Sequence, residues 1–341
     1  MKSSINVSKE NNKENESAKT NPIIENIKSR YILSKIYNNM TMKKKLKIVK
    51  YNKRIQNRLN LSTEDYKECC EIEIEIIPVK DKYGKFININ ENDKLFYHIY
   101  FNDNKEEMKK INKYRIKEEF GVTKYEYYIE EEDKVTKIKL KIDYQVKSFN
   151  HLFSECKCIE HINFKKFYRN INGMSWMFRG CSSLKELNLN NFNTKNVTNM
   201  GCMFYYCSSL KELNLNNFNT NNVTNMESMF EGCSSLKSLN LNNFHTNNVT
   251  NMVKMFYRCE SLKELNLNNF NTNNVTNMDR MFAECSSLKE LNLNNFNTNN
   301  VTDMKSMFFG CSYDLKRKIK SEKKNIKNEA FQRSRSNKII Y

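Results

Sequence analysis

Seven glycines in 341 residues leave little room for chemistry that needs a bare backbone. None falls in a G-x-x-x-x-G-K-[ST] or G-x-G-x-x-G string, so neither phosphate-cradling loop is present. H-E-x-x-H and G-x-S-x-G are also missing, and the four histidines (His98, His151, His161 and His245) are scattered. These absences predict a chain that is not an enzyme and takes no cofactor. Metal is excluded on similar grounds, because neither Cys69-Cys70 nor Cys156-Lys157-Cys158 offers the doubled C-x-x-C spacing of a tetrahedral zinc site. Long apolar runs are missing too. No stretch of about 18 apolar residues is available to cross a bilayer, and the opening MKSSINVSKENNKENESAK has no apolar core of the kind a secretory signal needs. The expectation is an intracellular, cytoplasmic protein without a transmembrane segment, a cell-surface location being the weaker reading.

What is present is a repeat. From Cys181 the string CSSLKELNLNNFNTKNVTNMGCMFYY recurs from Cys207, Cys233, Cys259 and Cys285, a period of 26 residues held through five full copies. A unit one residue short opens at Cys156, and Val146, Phe149, Leu152 and Phe153 form a half-unit before it. The cysteines at 181, 207, 233, 259, 285 and 311 therefore occupy one repeated position, which reads as a reduced core residue and not as a disulfide framework. Within a unit, Leu187 and Leu189 alternate with polar residues, the period of a strand buried on one face. Val197, Met200, Met203, Phe204 and Cys207 follow 3- and 4-residue spacing, which predicts a helical segment capped by Thr194 or Asn196. One unit buries too little apolar surface to offset its ordering cost, so the units must stack on one another.

The string LKELNLNNFNTNNVTNM, followed by M-F and C-S-S, resembles the BspA-like leucine-rich-repeat family with its 26-residue surface-protein repeat. The resemblance covers residues 146–314 and implies a leucine-rich-repeat coil, with adhesion at a cell surface for many members. The fold expected is thus an α/β solenoid, one short parallel strand and one helical segment per repeat. It is preceded by a disordered tail (1–21), a basic helical hairpin (22–60) and a small β-rich α+β domain capping the solenoid (61–145). A basic capping helix and tail follow (315–341). In the capping domain, residues 72–76 and 95–101 read as strands, 125–129 and 138–146 as a hairpin, and 106–114 as a helix. Residues 27–59 also resemble a divergent F-box, on Ile32, Leu33, Ile36 and Tyr37 followed by Leu46, Ile48 and Val49. That resemblance implies docking to a Skp-type adaptor and a role as substrate receptor of a ubiquitin ligase; a hairpin packed on the next domain explains the same residues.

The net charge of +18 gathers outside the repeats: residues 28–58 hold Lys and Arg with no Asp or Glu. Weak, nonspecific and salt-sensitive nucleic-acid binding is the most this predicts, and an AT-rich coding sequence yields the same wealth of Lys, Asn and Ile. The main function expected is non-catalytic binding of a protein partner, with adhesion as an alternative. Two faces are candidates. The copies differ most around the Met-Phe step, which singles out Tyr205, Tyr206, Tyr257, Arg258, Arg280 and Phe309, residue types that dominate protein interfaces. The outward strand positions are nearly invariant between copies: Glu186, Glu212, Glu264 and Glu290 with Asn188, Asn214, Asn240, Asn266 and Asn292. A row so uniform suits a periodic ligand, and recent duplication explains it equally well.

Overall fold

Ile72, Ile74 and Ile76 alternate with glutamates, and a strand that buries one face is the simplest way to satisfy that pattern. The computed structural model realises it as β1 (Ile72–Pro78), with all three isoleucines fully buried. The structure describes residues 27, 29–40, 44–45, 48, 52–61, 71–102, 114–119, 122–143, 145–167, 171–323 and 325–334. The chain divides into two units, Met1–Cys70 and Glu71–Tyr341. The expected tail (1–21), Leu46, Val49, Cys69 and Cys70 lie outside the described residues, as does most of the helix expected at 106–114.

In the first unit, α1 (Arg30–Asn38) is capped by Ser29, whose side chain accepts from the Ile32 amide. The Asn52 side chain does the same for α2 (Lys53–Leu59) at 3.0 Å from the Ile55 amide. Leu33, Tyr37, Ile48 and Ile55 form their shared core. Ile32 is half exposed at 51%, and Ile36 is only partly covered.

The second unit begins with two sheets. β1 lies between β6 (Ile138–Ile142) and β7 (Ile159–Lys166), and β3 (Tyr97–Phe101) pairs with β6 on its far side. On the outer face of this sheet, Glu71, Glu73 and Glu75 meet Lys141, Lys139 and Lys137. A second sheet is ordered β2 (Gly84–Asn90), β5 (Val122–Ile129), β4 (Tyr114–Glu119), all antiparallel. The expected hairpin of 125–129 with 138–146 is therefore wrong. A 3-10 turn at Glu131–Asp133, closed by left-handed Lys134 (φ 47°), carries the chain from the second sheet into the first, so β5 and β6 never pair. Tyr114 begins a strand and not the end of a helix.

The first sheet runs on into the repeats, since β7 pairs in parallel with β8 (Glu186–Asn188); β9 (Glu264–Asn266) and β10 (Glu290–Asn292) pair likewise further along. Successive units stack in register: Phe153, Phe178, Phe204, Phe230, Phe256, Phe282 and Phe308 form a column with ring centroids 5.6–5.7 Å apart. Each repeated cysteine is buried, and its thiol donates to a phenylalanine carbonyl of the preceding unit, as Cys207 does to Phe178 at 3.1 Å.

Among the described residues no repeat contains a helix. The α/β solenoid with one helical segment per repeat is overturned: the architecture is mostly sheet, and among the described residues, besides α1, α2 and the isolated helical residues 44, 45 and 48, α-helix occurs only in α3 (Tyr313–Glu322). Backbone hydrogen bonding shows why. In a helix the Phe204 amide would reach back to Met200, whereas here Met200, Cys202, Phe204 and Tyr206 donate forward to Asn225, Glu227, Met229 and Glu231 of the next unit. The intervening Met203, Tyr205 and Cys207 amides close tight turns onto Met200, Cys202 and Phe204. Two of these turns place a left-handed residue third, Cys202 (φ 55°) and Tyr206 (φ 53°), as type II turns require. The first and last residues of those turns point inward, which produces a helix-like spacing without a helix. Thr194 is not a helix cap either. Its buried hydroxyl accepts from the Asn219 amide at 2.7 Å and donates to the Asn219 carbonyl at 2.9 Å, tying neighbouring units together.

The stack is closed at its C-terminal end by a local imitation of a further unit. α3 buries Leu315 and Ile319 and stops at Glu322, short of the longer helix expected. A 3-10 turn (Asn328–Phe331) then accepts the Ser306 and Phe308 amides on Glu329 and Ala330, and Phe331 extends the phenylalanine column 5.4 Å from Phe308.

Candidate functional site

A stack of near-identical units exposes two long surfaces, one built from the strand segments and the other from the tight turns. On the strand side, Glu186, Glu212, Glu264 and Glu290 are exposed, together with Asn188, Asn214, Asn240 and Asn266, while Asn292 is half-buried. They line two open grooves along the stack. The asparagines are occupied with the fold. Asn188, Asn214, Asn240, Asn266 and Asn292 each accept, through the side-chain oxygen, the amide two residues on at 3.0–3.1 Å. Such Asx turns end the strand. Three of them also donate to an asparagine of the preceding unit, as Asn214 does to Asn190 at 3.1 Å. Their uniformity therefore has a structural cause, since every unit must make the same turn.

The turn side is different. Its units share a backbone but carry unlike side chains, and those of three units gather into one cluster. The Arg179 guanidinium lies over the Trp176 ring at 5.1 Å and over Tyr205 at 5.5 Å. Tyr205 and Tyr206 meet at 4.6 Å. Arg258 donates to the Tyr206 hydroxyl at 3.3 Å and lies over Tyr257 at 5.2 Å. Burial, with Glu231 nearby, pushes the Tyr205 hydroxyl up to about 12, and burial raises Tyr257 as well. Both stay protonated at neutral pH and able to donate. Trp176 is 36% exposed, one of few large apolar side chains with so much surface open to solvent.

Of the six turn-side residues expected from sequence, the structure brings four together: Tyr205, Tyr206, Tyr257 and Arg258. Arg280 is engaged with Asp279 at 2.5 Å, and Phe309 lies under Arg333 at 5.9 Å, towards the closing turn. Trp176 and Arg179 were not among the expected residues although they complete the cluster. Both belong to the unit that is one residue short, so comparing full copies passes over them; the single tryptophan of the chain was the available signal.

Backbone conformation explains part of the variation between copies. The second residue of each varied pair is left-handed throughout: Glu155, Gly180, Tyr206, Gly232, Arg258, Glu284 and Gly310. Where it is glycine, the preceding unit's side chain lies over the gap. A Cβ built on Gly232 would come within 2.8 Å of the Tyr206 ring, and one on Gly310 within 2.5 Å of the Glu284 carboxylate. Glycine thus serves both the positive φ and the large neighbour.

Among the described residues no group of histidine, cysteine and acidic side chains has the arrangement of a metal site, and no helix is long and apolar enough to cross a membrane. The profile of one protein family, described as "Mycoplasma protein of unknown function, DUF285", matches residues 147–263 and 234–337, which together exceed half of the chain. No curated protein and no solved structure matches. The match supports neither the BspA-like leucine-rich-repeat resemblance nor the F-box resemblance of residues 27–59, and both are withdrawn.

Proposed function

This chain belongs to the DUF285 family of Mycoplasma proteins of unknown function, and from that premise we propose that it is a non-catalytic protein that holds a protein partner on the turn side of its repeats. The supporting observation is the cluster of Trp176, Arg179, Tyr205, Tyr206, Tyr257 and Arg258. Aromatic and arginine side chains supply most of the energy at protein interfaces, and here they are pre-ordered by cation–π contacts and by a backbone that each neighbouring unit fixes. Pre-ordering lowers the entropy lost on binding. The strand side supports this reading less well, because its asparagines are already spent on turns and on neighbouring units. A reducing compartment belongs to the same proposal, since the cysteine column uses its thiols as hydrogen-bond donors.

The test places a photo-crosslinking amino acid at Tyr206 in one variant and at Asn240 in another, with irradiation in extracts of the native cell. A discrete protein adduct from position 206 that is lost when Trp176 and Arg258 are both alanine is the expected result. An adduct from position 240 alone would move the site to the strand side.

A further inference from the structure

The basic segment of the first unit takes no part in the turn-side cluster, every residue of which belongs to the second unit. Residues 28–58 hold eleven lysines and arginines and no aspartate or glutamate. An AT-rich coding sequence fills a chain with lysine, but it does not clear acidic residues from so long a run in a chain that holds 39 of them. Arg30, Lys35, Lys44, Lys53 and Arg54 are exposed. Among the described residues no ion pair engages any of these five. The unit therefore presents a surface of one sign, which suits a polyanion.

Helix α1 adds an apolar element to that surface. At 100° per residue, Tyr31, Ile32 and Lys35 lie on the side opposite Leu33 and Tyr37, the two residues of α1 that build the core with Ile48 and Ile55. Tyr31 is 67% and Ile32 51% exposed, so two large apolar side chains stand next to each other in the first turn with their surface open to water. The Lys35 ammonium lies 4.8 Å from the centre of the Tyr31 ring, which puts charge and apolar surface on one face.

This pairing distinguishes between polyanions. A single-stranded nucleic acid binds through its phosphates and by stacking its bases on aromatic rings. Tyr37 is spent in the core at 9% exposure, which leaves Tyr31 as the one exposed ring among the described residues of the unit, and Ile32 has no π-face to offer. An anionic bilayer uses both parts, because cations meet the headgroups while aromatic and aliphatic side chains enter the boundary with the acyl chains. We propose that the first unit docks the protein on an anionic bilayer surface, its cations on the lipid phosphates and Tyr31 with Ile32 inserted at the interface. Two apolar side chains bury too little to hold the chain on neutral lipid, so charge and insertion act together.

The full chain is sedimented with vesicles of phosphatidylcholine alone, or of phosphatidylcholine with about one-third phosphatidylserine, at about 0.15 M salt. Binding to the anionic vesicles and none to the neutral ones is expected. Lys53→Gln with Arg54→Gln, exposed positions where glutamine keeps the helix propensity, should weaken binding about 25-fold, each cation near an acidic surface contributing about fivefold. Tyr31→Gln with Ile32→Gln leaves the charge unchanged and should weaken it at least about fivefold. Lys211→Gln with Lys237→Gln, exposed on the strand side of the repeats, removes the same net charge as the α2 pair and should bind like the parent chain. All three pairs should keep the parent circular dichroism. Equal binding to neutral vesicles, or no loss in the Tyr31 and Ile32 pair, overturns the proposal. An equal loss in the strand-side pair reduces the binding to adsorption by net charge and overturns it too. Oligoadenylate bound more than about tenfold tighter than the anionic vesicles at equal phosphate concentration would make the surface a nucleic-acid site instead.

Discussion

The antiparallel sheet of β1, β3, β6 and β7 and the stack of repeats solve opposite pairing problems. In the sheet, unlike residues face each other, and complementary charges are free to meet: Glu73 contacts Lys139 and Lys166, and Glu75 contacts Lys137 and Lys165. Inside the stack and along its strand side most residues lie on a copy of themselves, so a charge buried at such a position would face its own sign. The interior is accordingly built from side chains that satisfy their own kind. Phenylalanine rings stack on phenylalanine rings. Threonine and asparagine both donate and accept, and cysteine thiols find a carbonyl one unit back. Charged columns such as Glu186, Glu212, Glu264 and Glu290 are confined to solvent. The abundance of asparagine, explicable by an AT-rich coding sequence alone, also has a mechanical use.

This contrast can be broken most severely in the stack. Phe230 has ring neighbours on both sides, Phe204 and Phe256, each at 5.6 Å. Phe230→Ala should therefore cost about 3–5 kcal/mol, measured as the shift in a urea unfolding curve. A loss below about 1 kcal/mol would mean that the column is not the core.

Next in size is the polar column. Thr220 accepts from the His245 amide at 2.8 Å and donates to the His245 carbonyl at 2.9 Å, with its side chain fully buried. Thr220→Val keeps the shape and strands two backbone groups, for an expected cost of about 1–3 kcal/mol. Unchanged stability would show that these groups find other partners.

Gly232→Ala probes the turn side. Its φ of +73° and the Tyr206 ring 2.8 Å from the added Cβ predict a loss of at least about 1–2 kcal/mol. Removing the ring with Tyr206→Ala should return only part of it, because the backbone term stays. Full recovery in the double variant would put the whole cost on the ring.

The smallest effects separate the two regions by pH. Burial works against ionisation of Glu75, but hydrogen bonds and charge from Lys165 and Lys137 prevail and hold it below its ordinary value. Its contribution is present above about pH 4.5, the ordinary carboxylate value, and is lost as pH falls through the depressed folded value. Glu231, 4% exposed in the stack, is shifted the other way by burial despite the Ser228 hydroxyl that donates to it. Its contribution is present below about pH 4.5 and lost as pH rises through the raised value. At pH 7, Glu75→Gln should destabilise and Glu231→Gln should stabilise, each by about 1 kcal/mol or less, and both differences should shrink in acid. Equal signs at pH 7 would erase the distinction.

Parts of this organisation were legible in the sequence for identifiable reasons. The alternation at Ile72, Ile74 and Ile76 marks β1, and the 26-residue period marks the stacking unit and its buried cysteines. The helix in each repeat was a misreading, because consecutive type II turns bury residues at the same 3- and 4-residue spacing that a helix does. A glycine recurring at one position in three of the units (Gly180, Gly232, Gly310) carried the correction, since it implies a positive φ that a helix interior does not contain. Strand partners were the hardest to read. Residues 125–129 and 138–142 are both strands, yet only the turn through Lys134 reveals that they enter different sheets. The turn-side cluster was half legible: Tyr205, Tyr206, Tyr257 and Arg258 stand out as differences between copies, whereas Trp176 and Arg179 fall in an irregular unit that comparison of full copies leaves aside.

The central claim is that each repeat spends its turn-side amides on the next repeat. Scalar coupling across hydrogen bonds reads this directly, by NMR on deuterated protein labelled with nitrogen-15 and carbon-13. The account predicts a coupling from the Phe204 amide nitrogen to the Met229 carbonyl carbon, matching their 2.9 Å hydrogen bond. A coupling from Phe204 to the carbonyl of Met200, four residues back in its own unit, would restore the helix and contradict it.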